Sequence, residues 1–308
     1  MPKKGRAIGL GLLAVLAAAA LAMLTLGRDS LPALGRLFSP GPGILDDPAG
    51  LVRRDMPAVP VLLQKPELPA GCEATAAAML LGAYGYAVSK EEMARAIPRA
   101  PFEKRDGRVY GPDPRDMYAG DPFSAEGYGV YADPVAAAMQ REIDRLGGGA
   151  SVYLLEAEDE GAVLAAVDAG YPVCIWATMN MAPTQKGSSS WYLLEDGAYT
   201  DEKIEWLGNE HCLVLTGYGA DTVTVNDPLA GRKTYGRAVF FARWREQGRQ
   251  AILVAPDKKE RKNGAAPFLL AAECGIITSR RSPKPCSASL WTPERTLNHS
   301  ETVKAVSD

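Results

Sequence analysis

The spacing of apolar residues changes near residue 150, and this change constrains the fold more than any other feature of the chain. Before it, apolar residues over 72–84 recur at intervals of three and four, which is typical of a helix. The segment 133–147 also has a helical pattern and ends at a glycine. After residue 150, short apolar runs bounded by turn residues indicate strands. Helices followed by a mostly antiparallel sheet predict an α+β fold for residues 57–256.

The remaining segments of this domain fit the same order. Ser89 and Glu92 form a capping-box pattern that predicts a helix from residue 89, and Asp196-Gly197 marks the turn of a hairpin. The stretch 98–131 is rich in Pro, Gly, Asp and Tyr and is interpreted as a long loop, which inside a domain is usually functional. Strands are predicted over 58–64, 151–156, 171–179, 188–207, 211–219, 222–227 and 249–255, and further helices over 159–170 and 236–248.

The N-terminus has the pattern of an export signal. Three basic residues, Lys3, Lys4 and Arg6, precede an uncharged apolar run over residues 7–26. About 20 apolar residues can cross a bilayer, and the preceding charges place the rest of the chain outside the cell. Residues 1–27 are therefore predicted to be a signal anchor in the cell membrane. They would instead be a signal peptide of a secreted protein if the chain is cut near Ala20-Leu21-Ala22, an A-x-A-like site.

The segments that flank the domain have a different composition. Residues 28–56 are rich in Gly and Pro and are interpreted as a linker, and residues 257–308 as a poorly ordered tail.

The net charge of −3 and the absence of a basic stripe argue against a nucleic-acid partner. Five cysteines are too few for a disulfide scaffold, although Cys274 and Cys286 in the tail could bridge outside the cell. We expect a monomer without a cofactor.

Cys72 stands at the predicted start of the helix over 72–84. The free N–H groups and the positive dipole end of a helix favour a thiolate, so the sequence predicts a lowered pKa for this thiol. A cationic His211 nearby would lower that pKa further, and Glu73 would oppose the effect mildly. A small apolar residue at the start of a core helix is the structural alternative.

His211 and Asp227 lie at the two ends of a predicted hairpin. His211 begins the strand over 211–219 and Asp227 ends the strand over 222–227, so antiparallel pairing makes the two side chains neighbours. A carboxylate beside an imidazole fixes its tautomer, as in catalytic triads. On its own, Asp227 would be a turn former before Pro228, and His211 a structural hydrogen-bonding residue. The other histidine, His299, falls in the polar tail.

A metal site is the other chemistry that these residue types suggest. Its ligands would be Cys72, His211, Cys212 and Asp227. No C-x-x-C or H-E-x-x-H spacing supports it, and the adjacent strand residues His211 and Cys212 cannot both face one ion. The sequence therefore predicts no metal at these residues.

Several segments together resemble the exported relatives of the bacteriocin-processing (double-glycine) peptidases. These segments are QKPELPAGCEATAAAMLLGAYGYAVSKEEMA, GYPVCIWATMNM, WLGNEHCLVLTGYG and TVTVNDPLAGRKTYGRAVFFARWREQGRQAILV, and they occur in the order of that family. The resemblance implies a papain-like cysteine peptidase fold with Cys72 as nucleophile, His211 as base and Asp227 as the residue that orients it. It also implies that Gln64 donates to the oxyanion. The chain has no G-x-x-x-x-G-K-[ST] motif, so the ATP-binding part of leader-processing exporters has no counterpart in it.

The function that this resemblance implies is hydrolysis of a peptide or protein substrate through an acyl-enzyme. An amidase or acyltransferase that acts on cell-wall peptides would use the same three residues. A peptide-binding domain without catalysis is the alternative from another class of protein.

Overall fold

The structure is a computed structural model that describes residues 44–45, 52–53, 56–155, 157 and 159–257. By its contacts the chain divides into residues 1–44 and residues 45–308, and the domain from residue 56 belongs to the second unit. The predicted signal anchor, most of the linker and the tail with His299, Cys274 and Cys286 lie outside the described residues. In the described part, no helix has both the length and the apolar character needed to span a membrane.

Five α-helices and fourteen strands are described, together with one 3-10 turn at Met179–Met181. The helices are α1 (Cys72–Ala83), α2 (Lys90–Ala96), α3 (Ala132–Arg145), α4 (Glu160–Asp168) and α5 (Arg237–Glu246). The strands are β1 (Ile44–Leu45), β2 (Val52–Arg53), β3 (Arg99–Ala100), β4 (Glu103–Arg105), β5 (Arg108–Gly111), β6 (Tyr118–Ala119), β7 (Ala150–Leu154), β8 (Val173–Thr178), β9 (Gln185–Glu195), β10 (Ala198–Gly208), β11 (Glu210–Tyr218), β12 (Thr222–Asp227), β13 (Gly231–Gly236) and β14 (Ala251–Pro256).

A six-stranded sheet forms the centre of the domain, in the order β13-β12-β11-β8-β14-β7. Every neighbouring pair in it is antiparallel. Successive side chains of a strand point to opposite faces, so the fully apolar strand β8 serves two cores at once. Cys174 and Trp176 pack on one face of the sheet, and Val173 and Ile175 pack on the other.

Helices cover both faces of this sheet. Helices α1, α2 and α3 pack on the face that carries Trp176, and the small alanine side chains of α1 allow the helix to lie close to the strands. Helices α4 and α5 pack on the opposite face, where Phe240, Phe241 and Trp244 are buried. The predicted α+β class is confirmed, and the two later helices add a third layer behind the sheet.

A smaller sheet, in the order β10-β9-β5-β4, is built on the long hairpin of β9 and β10. Asp196 and Gly197 both have positive φ at its turn, as a two-residue hairpin turn of this type requires. Trp191 and Trp206 from this hairpin form a separate small core with Leu193.

The predicted elements agree with the structure in most places and differ in three. Helix α2 begins with the expected capping box of Ser89 and Glu92, which contributes about 1 kcal/mol. Residues 58–64 are not a strand: they run as irregular chain along the end of β12, where Asn226 donates to the Val59 carbonyl. The predicted loop over 98–131 contains four short strands, β3 to β6. Strand β13 was not predicted, because its segment GRKTYG is polar and lies exposed at the sheet edge.

Candidate active site

Helix α1 begins at Cys72 because the loop before it is fixed from several sides. A side chain at Gly71 would place its Cβ 2.7 Å from the Leu68 Cβ, so this position requires glycine. Thr75 donates from its hydroxyl to the Gly71 carbonyl at 2.8 Å, and Tyr118 donates to the Ala70 carbonyl. These contacts hold the Cys72 backbone at the end of the helix, as the sequence predicts.

The Cys72 thiol is buried, with 8% of the residue exposed, and it faces two carboxyl groups. It donates to Glu73 Oε2 at 3.2 Å and lies 4.0 Å from Glu210 Oε2. Burial raises the pKa of this thiol well above its ordinary value, and the charges of Glu73 and Glu210 raise it further. The expectation of a lowered thiol pKa is therefore wrong for this arrangement, because burial and two acids outweigh the helix dipole.

Both carboxyl groups are buried beside the thiol. Glu73 is fully buried, and its Oε1 accepts a hydrogen bond from the Val130 N–H at 2.8 Å. Burial raises the pKa of Glu73 to about 7, against an ordinary value of 4.5. Burial also raises the pKa of Glu210 well above its ordinary value, and the neighbouring charge of Glu73 adds to the effect. The sequence predicts that Glu73 opposes a lowered thiol pKa only mildly. In the structure this effect of Glu73 is strong, and Glu210 adds to it.

His211 and Asp227 form a buried pair at the end of the β11–β12 hairpin. His211 Nε2 lies 2.7 Å from Asp227 Oδ1, as expected from antiparallel pairing of the two strands. The carboxylate also accepts from the Leu229 N–H at 2.8 Å and from the Tyr235 hydroxyl at 3.2 Å. Burial raises the pKa of Asp227, but the hydrogen bond and charge of His211 and these two donors outweigh it, so the pKa lies below its ordinary value.

Gln64 is buried next to both parts of the site. Its backbone N–H donates to the carbonyl of Pro228, the residue after Asp227, at 2.8 Å. Its side-chain Nε2 donates to the carbonyls of Leu68 and Pro69, at 3.2 and 2.9 Å, in the loop that leads to Cys72. Gln64 thus ties the loop before the cysteine to the turn after the aspartate.

The four predicted site residues are brought to one end of the sheet, but not into one hydrogen-bonded chain. Both strand neighbours of His211 contact the Cys72 thiol: Glu210 through its carboxyl group and Cys212 through its backbone N–H. Within the described residues, the thiol makes no hydrogen bond to the imidazole. Neighbours on a strand face opposite sides, so His211 points away from the side on which Glu210 meets the thiol.

Two features of this site were not expected from the sequence. Glu210 was overlooked, although a glutamate directly before an apolar strand and next to a candidate histidine is an unusual buried acid. Cys212 and Cys174 are buried thiols in the same core as Cys72, and their Sγ atoms lie 3.2 Å apart.

A helix that begins at a buried cysteine and packs across an antiparallel sheet is the arrangement of the papain-like peptidase fold, and this chain has that fold. The model of the Peptidase_C39 like family matches residues 56–252, more than half of the chain, so the protein belongs to this family. This membership confirms the predicted resemblance and gives the domain a peptidase-like function.

Known relatives agree with this assignment. The "Uncharacterized protein YvpB" of Bacillus subtilis (strain 168) is 30% identical over 194 residues, which are 62% of this chain and 72% of that protein. The crystal structure of a Bacillus anthracis protein named as a C39-like peptidase is 28% identical, with a TM-score of 0.56, and covers 67% of this chain and 98% of its own.

A double glycine motif protease from an AMS/PCAT transporter, solved in complex with the leader peptide, is also similar. It is 16% identical, with a TM-score of 0.38, and covers 67% of this chain and 97% of its own.

Proposed function

We propose that this protein is a cysteine peptidase that cleaves peptide bonds through an acyl-enzyme on Cys72. His211 is the general base and later the general acid, and Asp227 orients it. The observation that carries the proposal is the buried His211–Asp227 pair, on a strand whose neighbouring residues contact the thiol at the start of α1.

The pairing supports a defined proton position on the imidazole. A carboxylate at His211 Nε2 retains a proton on that nitrogen and leaves Nδ1 free to accept one. Asp227 is itself held by the Leu229 N–H and the Tyr235 hydroxyl, so the imidazole has little freedom to turn. His211 Nδ1 is therefore the atom that removes the thiol proton in this proposal.

The thiol must leave Glu73 before it can react. In this proposal, binding of substrate draws Sγ from Glu73 Oε2 to the imidazole, which in this structure faces the other side of β11, and catalytic contacts of this kind often tighten only with substrate bound. The thiolate then attacks the peptide carbonyl, His211 protonates the leaving amine, and water releases the acyl group. A first-turn helix N–H such as that of Cys72 is a suitable oxyanion donor.

Gln64 is the second proposed oxyanion donor. Its position between the Cys72 loop and Pro228 supports this role, whereas its two donated bonds to Leu68 and Pro69 support a role in holding the loop. Substrate would have to displace one of those carbonyls for the amide to reach an oxyanion. Both roles are compatible with one side chain at different steps.

We further propose that the domain acts outside the cell, held to the membrane by residues 7–26 or released by cleavage near Ala22. The basic residues before the apolar run support this orientation. Added protease should digest the domain in intact spheroplasts that retain a cytoplasmic marker. Digestion only after lysis would contradict the proposal.

Cleavage of a peptide library tests the catalytic proposal. The full chain, kept with a chelator, should cleave a subset of peptides, and Cys72→Ala should abolish cleavage. Cys174→Ala is the matched control, because it removes another buried thiol on the same face and should retain activity. Equal cleavage by the wild type and Cys72→Ala would refute a nucleophilic role. Amide products from non-peptide acyl donors would point to the acyltransferase alternative.

A further inference from the structure

We propose that Cys72, Glu73 and Glu210 form a zinc site at the start of α1. This site differs from the one considered from the sequence, since it uses neither His211 nor Asp227. Binding does not depend on the proposed peptidase function. The inhibition that zinc would cause does rest on that proposed function, because a zinc-bound thiolate could not attack a carbonyl.

The geometry of the three side chains suits a tetrahedral ion. One ligand atom from each residue lies within 4.8 Å of the other two, and all three residues are buried. The thiol sulfur is 3.2 Å from Glu73 Oε2 and 4.0 Å from Glu210 Oε2. Neighbouring sulfur and oxygen ligands of tetrahedral zinc are separated by about 3.6 Å, given usual bond lengths. Shifts of a few tenths of an ångström would bring the two sulfur–oxygen distances to that value.

A second observation points to a missing ligand at the same place. Glu210 Oε1 accepts no hydrogen bond from the described residues. Only 7% of the residue is exposed, so solvent has little access to this oxygen. The other oxygen of this carboxyl group is directed at the Cys72 sulfur. A buried carboxylate oxygen without a donor is costly, and a cation between Glu210 and the thiol would satisfy it.

Among the described residues, no basic side chain balances the two carboxyl groups of this cluster. In the described part of the chain, neither Glu73 nor Glu210 forms an ion pair with a Lys or Arg side chain. Glu73 is held by the Val130 N–H, which fixes one oxygen and leaves Oε2 directed at the sulfur. Protons or a cation must therefore balance these groups.

The donor set selects the metal. A thiolate favours zinc over Mg²⁺ or Ca²⁺, which prefer six or more oxygen ligands. Three protein ligands leave one position for water or another exchangeable ligand, as in open zinc sites. Binding releases to solvent the Cys72 proton and any proton held by Glu73 or Glu210, and leaves the sulfur bound as thiolate.

Zinc titration of the full chain tests the site. The protein is purified in detergent as Cys274→Ser/Cys286→Ser, which removes the tail thiols, then stripped with EDTA and desalted. Zn²⁺ is added in competition with a chromophoric chelator. One zinc per chain is expected, with affinity at least tenfold lower for Glu210→Gln and for Cys72→Ser. Glu205→Gln, an exposed acid on β10, is the matched control and should leave the affinity unchanged.

A second measurement needs no substitution in the site. Zinc should slow alkylation of Cys72 by iodoacetamide at least tenfold in the otherwise unchanged background, as read by peptide mass spectrometry. Absence of bound zinc, equal affinity in all variants, or an unchanged alkylation rate would overturn the site. His211→Ala separates the two proposals: it should abolish peptide cleavage and retain zinc. Zinc binding by a wild-type protein that cleaves nothing would refute only the peptidase.

Discussion

Asp227 and Glu73 are both buried acids within one site, and they differ in the donors that surround their carboxyl groups. Asp227 has a histidine, a hydroxyl and a backbone N–H as donors, and its pKa is lowered despite burial. Glu73 has one backbone N–H and the weak thiol donor, and burial raises its pKa to about 7. Glu73 also lies deeper than Asp227, so its stronger desolvation and its fewer donors together keep it less ionised than Asp227 at neutral pH.

Strand β11 contributes to both environments. His211 belongs to the hydrogen-bonded pair with Asp227, whereas the preceding residue, Glu210, belongs to the acidic cluster around Cys72. The alternation of side chains along one strand keeps the two environments apart. The pair is suited to holding a base in place, and the cluster is suited to holding protons or a cation.

Removal of the base should have the largest effect. His211→Ala should lower kcat/KM for a cleaved peptide by on the order of 10⁴-fold, because no imidazole then removes the thiol proton or protonates the leaving amine. Steady-state kinetics with an internally quenched peptide measures this. A loss of this size in Glu73→Gln, with activity retained in His211→Ala, would show that the acidic cluster and not the pair supplies the base.

Asp227→Asn should have the next largest effect, a loss of about 10³-fold in kcat, because the imidazole loses its fixed tautomer. Tyr235→Phe is the matched control, since it removes a weaker bond to the same carboxylate and should cost less than tenfold. Equal effects of the two substitutions would contradict the orienting role.

Asp227→Asn should also change how the stability of the fold depends on pH. The lowered pKa of Asp227 means that its contribution to stability is present above the unfolded value of about 3.8 and is lost as pH falls through the folded pKa. Urea unfolding should therefore show a less stable Asp227→Asn at pH 7, and a difference that narrows towards pH 3. A constant difference would contradict the lowered pKa.

Gln64→Ala distinguishes the two roles of that side chain. An oxyanion donor contributes about 3 kcal/mol to the transition state, so kcat should fall by 10²- to 10³-fold. A residue that only holds the loop would instead lower the unfolding midpoint and leave kcat nearly unchanged in the folded protein. Steady-state kinetics and urea unfolding of the same variant therefore distinguish the two roles.

Glu73→Gln should have the smallest effect on function and should stabilise the fold at high pH. A carboxyl group whose pKa rises from 4.5 to about 7 on folding destabilises the protein as pH rises between these values. The neutral amide in Glu73→Gln should therefore raise the free energy of unfolding by on the order of 2 to 3 kcal/mol at pH 8 and by nearly nothing below pH 4. Urea unfolding with EDTA present measures this. A gain independent of pH would contradict the account.

The parts of the site that depend on local sequence were predictable. Cys72 at a helix start follows from periodicity, and the His211–Asp227 contact follows from one hairpin. The contact of Glu210 with Cys72 joins residues 138 positions apart and depends on how α1 is rotated on the sheet. A single sequence does not specify that rotation, so the raised thiol pKa was missed.

The same distinction holds for the fold. The hairpin of β9 and β10 was predicted from the turn residues Asp196-Gly197. Strand β5 pairs in parallel with β9, and this pairing joins Tyr110 to Tyr192, which is far along the chain. Such pairing has no local turn signal, and β5 therefore read as loop. Strand β13 has no apolar alternation, because it only completes the edge beside β12.

Reaction with a peptidyl acyloxymethyl ketone tests the central claim most directly, because this probe requires an activated thiol that displaces its carboxylate. With EDTA present, mass spectrometry should find a single adduct on Cys72, formed at least 10²-fold more slowly in His211→Ala. An equal rate in the wild type and His211→Ala, or an adduct that forms no faster than with a free thiol, would contradict the account.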